Sequence, residues 1–161
     1  GDTGANVALA YAVTRGGLAG LVMAAPGHRP ERMARDRLTH AALERARRLV
    51  DSGHGEAPFV GPDGIQGASL TLTTTAAAYL SWMDPEGLAA MEVQAPRLPR
   101  SIPLLMVISR HDPFYAEAEA RVYRPAAHDP YSRYLPIGAN HSTTPMAAAT
   151  VIANWIERLP R

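Results

Sequence analysis

Three short segments hold the residues with chemistry to offer. Gly1-Asp2-Thr3-Gly4-Ala5-Asn6 opens the chain, Ser109-Arg110-His111-Asp112-Pro113 follows an apolar run, and Gly138-Ala139-Asn140-His141-Ser142 follows another near the end. They supply, in that order, a turn that opens a helix, an acid after a strand and a histidine after a strand. A carboxylate at Asp112 can accept a hydrogen bond from an imidazole Nδ1–H, which fixes the tautomer and stabilises the imidazolium. His141 can then act as general base. A side chain in the opening turn projects into a cleft, next to the free N–H groups and positive dipole end of a helix. The chemistry these residue types suit is nucleophilic hydrolysis.

The intervening sequence must bring the three turns together. Ala5–Val13 reads as a helix, with Leu9 and Ala12 or Val13 at helical spacing and Gly16-Gly17 as its stop. Leu18–Ala25 is a short continuous apolar run closed by Pro26-Gly27, the pattern of a buried parallel strand. Ile102–Ile108 reads the same way. Tyr131–Ile137 is a third strand, with Pro136 marking it as an edge. Phe114–Val122 is a short helix. Thr144–Leu159 closes the chain as a helix with Met146, Ala149, Ile152, Ala153 and Ile156 as its apolar stripe, Pro145 in the first turn and Thr143 or Thr144 as cap. Strands alternating with helices indicate an α/β fold with a mostly parallel sheet. Residues 28–100 read as an insertion between two of these strands. It carries one helix over Pro30–Val50 (Met33, Leu38, Ala42, Leu43, Ala46 and Val50 inward), a loop over 51–67 with turn signals at Asp63-Gly64 and Gln66-Gly67, a weak strand over Ala68–Thr75 and a helix over Ala76–Trp82.

Composition narrows the function classes. The chain has 161 residues, 47% apolar and 19% charged, enough for one domain with a core. Sixteen basic residues, all arginine, stand against fifteen acidic ones for a net charge of +1. That balance makes no case for nucleic acid or an anionic membrane. Arg45, Arg47 and Arg48 cluster on one helical stretch and read as a solvated face. The absence of cysteine excludes disulfides, thiolate catalysis and cysteine-based zinc sites. No apolar run approaches the length needed to span a bilayer. Among the histidines, His28, His40, His54 and His128 have no metal-site spacing, and His111 reads as loop surface. The compartment stays open.

The two ends of the chain, about 1–27 and 101–161, resemble the C-terminal part of α/β-hydrolase-fold proteins, from the nucleophile elbow onward. The resemblance implies a three-layer α/β fold whose N-terminal strands are absent from this chain. It also implies that 28–100 is the lid such proteins insert at this place. It makes Asp112 the triad acid and His141 the base. For the nucleophile there are two registers. Asp2 leaves Gly4 as the second glycine of the elbow and needs no gap; Thr3 would use Gly1 as the first glycine and leave Ala5 where a glycine belongs. Asp2 is favoured. With Asp2, the Thr3 N–H is an oxyanion donor. Serine at neither position is the main departure from the family. An aspartate there is similar to haloalkane dehalogenases and epoxide hydrolases, although Thr3 stands where many dehalogenases carry a halide-binding tryptophan.

The expectation is therefore a hydrolase of a small, largely apolar substrate with an ester-like or carbon–leaving-group bond. His28, Tyr79 and Trp82 are the candidate substrate-binding residues, and no metal or organic cofactor is implied. With upstream strands missing, the piece alone is expected to turn over little or nothing. Its open sheet edge is expected to pair with other chains, hence a homo-oligomer. The competing class is a non-catalytic relative that binds a ligand or partner through the same cleft, motivated by the missing serine. A lid-helix interaction surface bearing the arginines is a further competitor.

Overall fold

The structure is a computed structural model, and it describes residues 1–65 and 68–160. In chain order the elements are α1 (Thr3–Arg15), β1 (Leu21–Ala24), α2 (Pro30–Met33), α3 (Arg37–Asp51), β2 (Pro58–Ile65), β3 (Ala68–Thr75), α4 (Ala76–Met83), α5 (Met91–Gln94), β4 (Leu104–Ser109), α6 (Tyr115–Ala118), α7 (Arg124–Ala126), β5 (Arg133–Ile137), α8 (Thr144–Ala147) and α9 (Ala149–Glu157). A 3-10 turn, Ala95–Arg97, follows α5, and a π-helical turn, Glu119–Tyr123, joins α6 to α7. The chain divides into two compact units, residues 1–27 with 91–161 and residues 28–90. The second unit ends at Ala90, so residues 91–100, grouped with the insertion in the sequence reading, belong to the first.

The first unit is α/β. Its sheet has the order β1-β4-β5, all parallel, with Met23 opposite Met106 and Val107 opposite Leu135. Every residue of β4 is buried, as a central parallel strand requires. Leu104, Met106 and Ile108 pack in one cluster with Ala5, Leu9 and Ala12 of α1 and with Phe114, Ala118 and Val122. Leu105 and Val107 point the other way, into a cluster with Ala148 and Trp155. The strand period of two thus gives each face of β4 its own helical cover. Small residues on the buried side of α1 allow the helix to approach closely, and Gly16 and Gly17 end it at φ values of 62° and 67°. β5 is an edge strand, which accommodates Pro136.

The closing helix departs from expectation. It is divided into α8 and α9 around Ala148, and its inward stripe is Ala148, Ile152, Trp155 and Leu159. Of the expected stripe only Ile152 packs inward; Met146 is 77% and Ile156 52% exposed. Apolar residues occur on both faces of this helix, so period alone could not choose between them. The large indole decides. Its ring packs on the sheet, and its N–H donates to the Tyr131 carbonyl at 2.8 Å.

The second unit is built on an antiparallel ribbon of β2 and β3 with α3 and α4. The expected loop over 51–67 is corrected here, because 58–65 is a strand and Asp63-Gly64 lies inside it. Pro58, Gly61, Pro62 and Gly64 masked the strand signal. A two-stranded ribbon has only edge strands, where prolines are tolerated. The other turn signal, Gln66-Gly67, lies outside the described residues. The single helix expected over Pro30–Val50 is two. Asp36 is extended (φ −70°, ψ 137°), and its carboxylate accepts hydrogen bonds from the N–H groups of Leu38 and Thr39 at 2.9 and 3.0 Å, so it caps α3 and separates it from α2. Those bonds hold the Asp36 carboxyl below the usual aspartate range. Ala42, Leu43 and Ala46 are buried as expected, whereas Leu38 is 71% exposed. Arg45, expected on a solvated face, lies over the Phe59 ring and donates to the Val60 carbonyl.

Candidate active site

Because β1, β4 and β5 are parallel, their carboxyl ends lie along one rim of the sheet, the usual place for ligand chemistry in such folds. β4 ends at Ser109 and delivers Asp112 three residues on. β5 ends at Ile137 and delivers His141. The carboxyl end of β1 holds the opening turn, since the Asp2 N–H donates to the carbonyls of Ala24 and Ala25 at 3.2 and 3.1 Å.

The three side chains meet within the first unit. Asp112 is buried. One carboxylate oxygen accepts from the Phe114 N–H at 2.8 Å, and the other lies 2.7 Å from His141 Nδ1. A carboxylate only accepts, so Nδ1–H donates to Asp112. His141 Nε2 is 3.3 Å from Asp2 Oδ1. The imidazole is 10% exposed and the Asp2 side chain 48%. A buried carboxylate, a nearly buried imidazole and a half-exposed carboxylate thus follow one another by contact.

Backbone strain singles out the same residue. Asp2 has φ 50° and ψ −133°, a conformation that costs an L-residue energy and persists only where the surroundings impose it. Asp2 and Ala25 are the non-glycine residues with positive φ among those described, and they are hydrogen-bonded to each other. Thr3 is the first residue of α1, and its N–H belongs to the first helical turn, which lacks an intrahelical acceptor. Of the two nucleophile registers, the strained turn position and the contact with His141 both fall on Asp2.

Several residues that build the site had no signal in their type alone. Asn140 and Thr143 cap the turn holding His141. The Asn140 carboxamide oxygen accepts from the Thr143 N–H at 2.9 Å, and the Asn140 N–H donates to Thr143 Oγ1 at 3.1 Å. Asn140 therefore takes part of the capping expected of Thr143 or Thr144. Ser109 joins the turns of Asp112 and His141. Gly27 reads only as a strand stop in the sequence, yet a Cβ placed on it would overlap Asp2 Oδ1 and stand 3.1 Å from His141 Cε1. Its missing side chain leaves room for the pair.

The candidate substrate-binding residues His28, Tyr79 and Trp82 belong to the second unit. Tyr79 is fully buried in the second unit, against Phe59, and its hydroxyl donates to the Pro62 carbonyl at 2.8 Å. Burial, with the nearby Asp63 charge adding to it and Arg45 opposing, pushes its hydroxyl up to about 12. Within its unit Tyr79 is a core residue, its large ring filling the space beside Gly61. His28 and Trp82, also in the second unit, are stacked with ring centroids 3.7 Å apart, and His28 Nε2 lies 2.7 Å from the Trp82 carbonyl. That makes them partners of each other. His111 is exposed, as expected of loop surface.

Elsewhere in the first unit a groove of about 360 Å³ runs between β5 and α9, lined in part by Leu105, Leu135, Val151 and Trp155. It contains none of the three convergent side chains. Among the described residues no group of three or more His, Asp or Glu is arranged to hold a metal ion, and no helix is long and apolar enough to cross a membrane. Compared with protein-family models, curated proteins and solved structures, the chain matches none.

Proposed function

We propose that the chain carries the nucleophile, acid and base of a hydrolase of the α/β-hydrolase type, with Asp2, Asp112 and His141 in those roles. In this reading the first unit is the C-terminal part of a three-layer core and residues 28–90 are its lid. The observation that carries it is the chain of contacts from Asp112 through His141 to a strained, half-open Asp2. A carboxylate nucleophile suits a small apolar substrate with a leaving group on carbon. Asp2 Oδ attacks that carbon, the carbon–leaving-group bond breaks and the leaving group departs with the electron pair. An ester to Asp2 remains. His141 Nε2 takes a proton from water, and the resulting hydroxide equivalent attacks the ester carbonyl. The alcohol leaves with the proton held on His141 Nε2, and the Asp2 carboxyl gives its remaining proton to solvent as the carboxylate returns. The Thr3 N–H is the oxyanion donor for the tetrahedral stage. Asp112 holds the imidazole and stabilises its charged form.

Single-turnover mass spectrometry tests this without requiring turnover. The chain is incubated with a panel of short haloalkanes, epoxides and alkyl esters. In His141→Phe, which cannot activate water, an alkyl adduct should accumulate on the peptide containing Asp2. Asp2→Asn should give none. An adduct forming equally on Asp2→Asn sinks the assignment. If Asp2→Asn instead leaves ligand binding intact and no variant forms an adduct, the non-catalytic binding reading takes its place.

A further inference from the structure

We propose that Ser109 is a positioning residue that latches the loop of His141 to the turn of Asp112. This rests on the reading of that pair as base and acid. Ser109 is the last residue of β4 and is completely buried. Its hydroxyl donates to the Ala139 carbonyl, two residues before His141. The same oxygen accepts the His111 N–H at 3.0 Å, one residue before Asp112. One side chain thus ties both loops to the end of the most buried strand. The backbone adds parallel ties. Arg110 N–H donates to the Ile137 carbonyl at 3.0 Å, and Asp112 N–H to the Ser109 carbonyl at 3.1 Å. None of these reaches beyond Ile137 toward His141; the Ser109 hydroxyl does. Two loops leaving neighbouring parallel strands have no sheet pairing to set their separation, so the 2.7 Å approach of Asp112 to His141 needs a cross-link. A fork in which one hydroxyl both donates and accepts is suited to that, because each bond orients the other.

A merely structural role and a positioning role are separated by the proton between the two side chains. Its exchange with solvent is read by NMR from the low-field Nδ1–H resonance of His141. In Ser109→Ala that proton should exchange at least tenfold faster than in the unaltered chain. Ser132→Ala is the control. Ser132 is also buried, and its hydroxyl accepts the Leu104 N–H at 3.0 Å, at the other end of the strands. Losing that bond should leave the His141 resonance and its exchange unchanged. Should the alanine variant fail to fold, Ser109→Cys keeps the volume and weakens both hydrogen bonds, and it should speed exchange in the same direction. Equal exchange in the folded Ser109 variant and the unaltered chain overturns the proposal, as does an equal acceleration in Ser132→Ala. The readout involves no substrate. If no electrophile ever labels Asp2, the hydrolase reading fails while the proton exchange still decides the role of Ser109.

Discussion

In the proposed reading a carboxylate nucleophile needs room for a carbon electrophile beside its oxygen and a base that acts on water to release the ester. Gly27 bears on the first. It has no Cβ to meet Asp2 Oδ1, and its φ is not in the left-handed region, so alanine is compatible with the backbone and the conflict is purely with the two side chains. Gly27→Ala should displace the Asp2 carboxylate by about 1 Å from the position in which it meets the substrate carbon. A displacement of that order costs on the order of 100-fold in rate. We expect adduct formation in a Gly27→Ala,His141→Phe double variant to fall by about that factor relative to His141→Phe, with little change in the thermal midpoint. An unchanged labelling rate would show that the space beside Gly27 is not used.

The elements obey the helical and strand periods, but their boundaries and inward faces were settled by individual contacts. α3 gives a direct comparison. Leu38 and Leu43 belong to one apolar stripe by spacing, yet Leu38 is 71% exposed and Leu43 only 3%. Asp36 starts the helix and places Leu38 in its exposed first turn, whereas Leu43, in the next turn, packs in the cluster of Phe59, Tyr79 and Met83. Leu43→Ala should cost about 2–5 kcal/mol in denaturant unfolding of the second unit. Leu38→Ala should stay within about 0.5 kcal/mol. Comparable losses for both would place the helix face wrongly. The same logic applies to α9, where apolar residues lie on both sides and Trp155 selects the inner one.

For the molecule as a whole, composition makes the alkaline range unusually clean. The chain has six tyrosines and neither lysine nor cysteine, so above the range of the terminal amine the tyrosines alone titrate. Tyr79 in the second unit and Tyr134 in the first are both raised from 10 to about 12, in each case chiefly by burial. The Tyr134 hydroxyl, near the charges of Glu119 and Asp112, has no hydrogen-bond partner among the described residues. Unfolded, these phenols ionise near 10; folded, they hold their protons to about 12. The unfolded state therefore loses protons first, and stability is full below pH 10 and drains away between 10 and 12. Tyrosinate absorbance should show two of the six phenols ionising last. The unfolding midpoint in denaturant should be flat up to pH 10 and fall beyond it, less steeply in Tyr134→Phe. A midpoint already falling between pH 8 and 9 would contradict this.

Much of this was readable from residues alone. The helix opened by Asp2, two buried strands, the edge strand with Pro136 and the places of Asp112 and His141 all follow from local rules: apolar runs, helix stops, and turns after strands. Such rules depend on neighbours within a few positions, and the chain order of the three turns carries the rest. Other features were beyond their reach. β2 hides behind its prolines and glycines until β3 pairs with it. Tyr79 looks like a pocket residue until its hydroxyl meets Pro62. Gly27 looks like a strand stop until Asp2 and His141 arrive beside it, and Ser109 looks like the first residue of the Asp112 turn until its hydroxyl meets the Ala139 carbonyl. Each of these depends on a partner far away in the chain, whose position is set by packing and not by spacing. Local pattern chose the elements and the order of the three turns, while the contacts that join a carboxylate, an imidazole and a second carboxylate exist only once the sheet has formed.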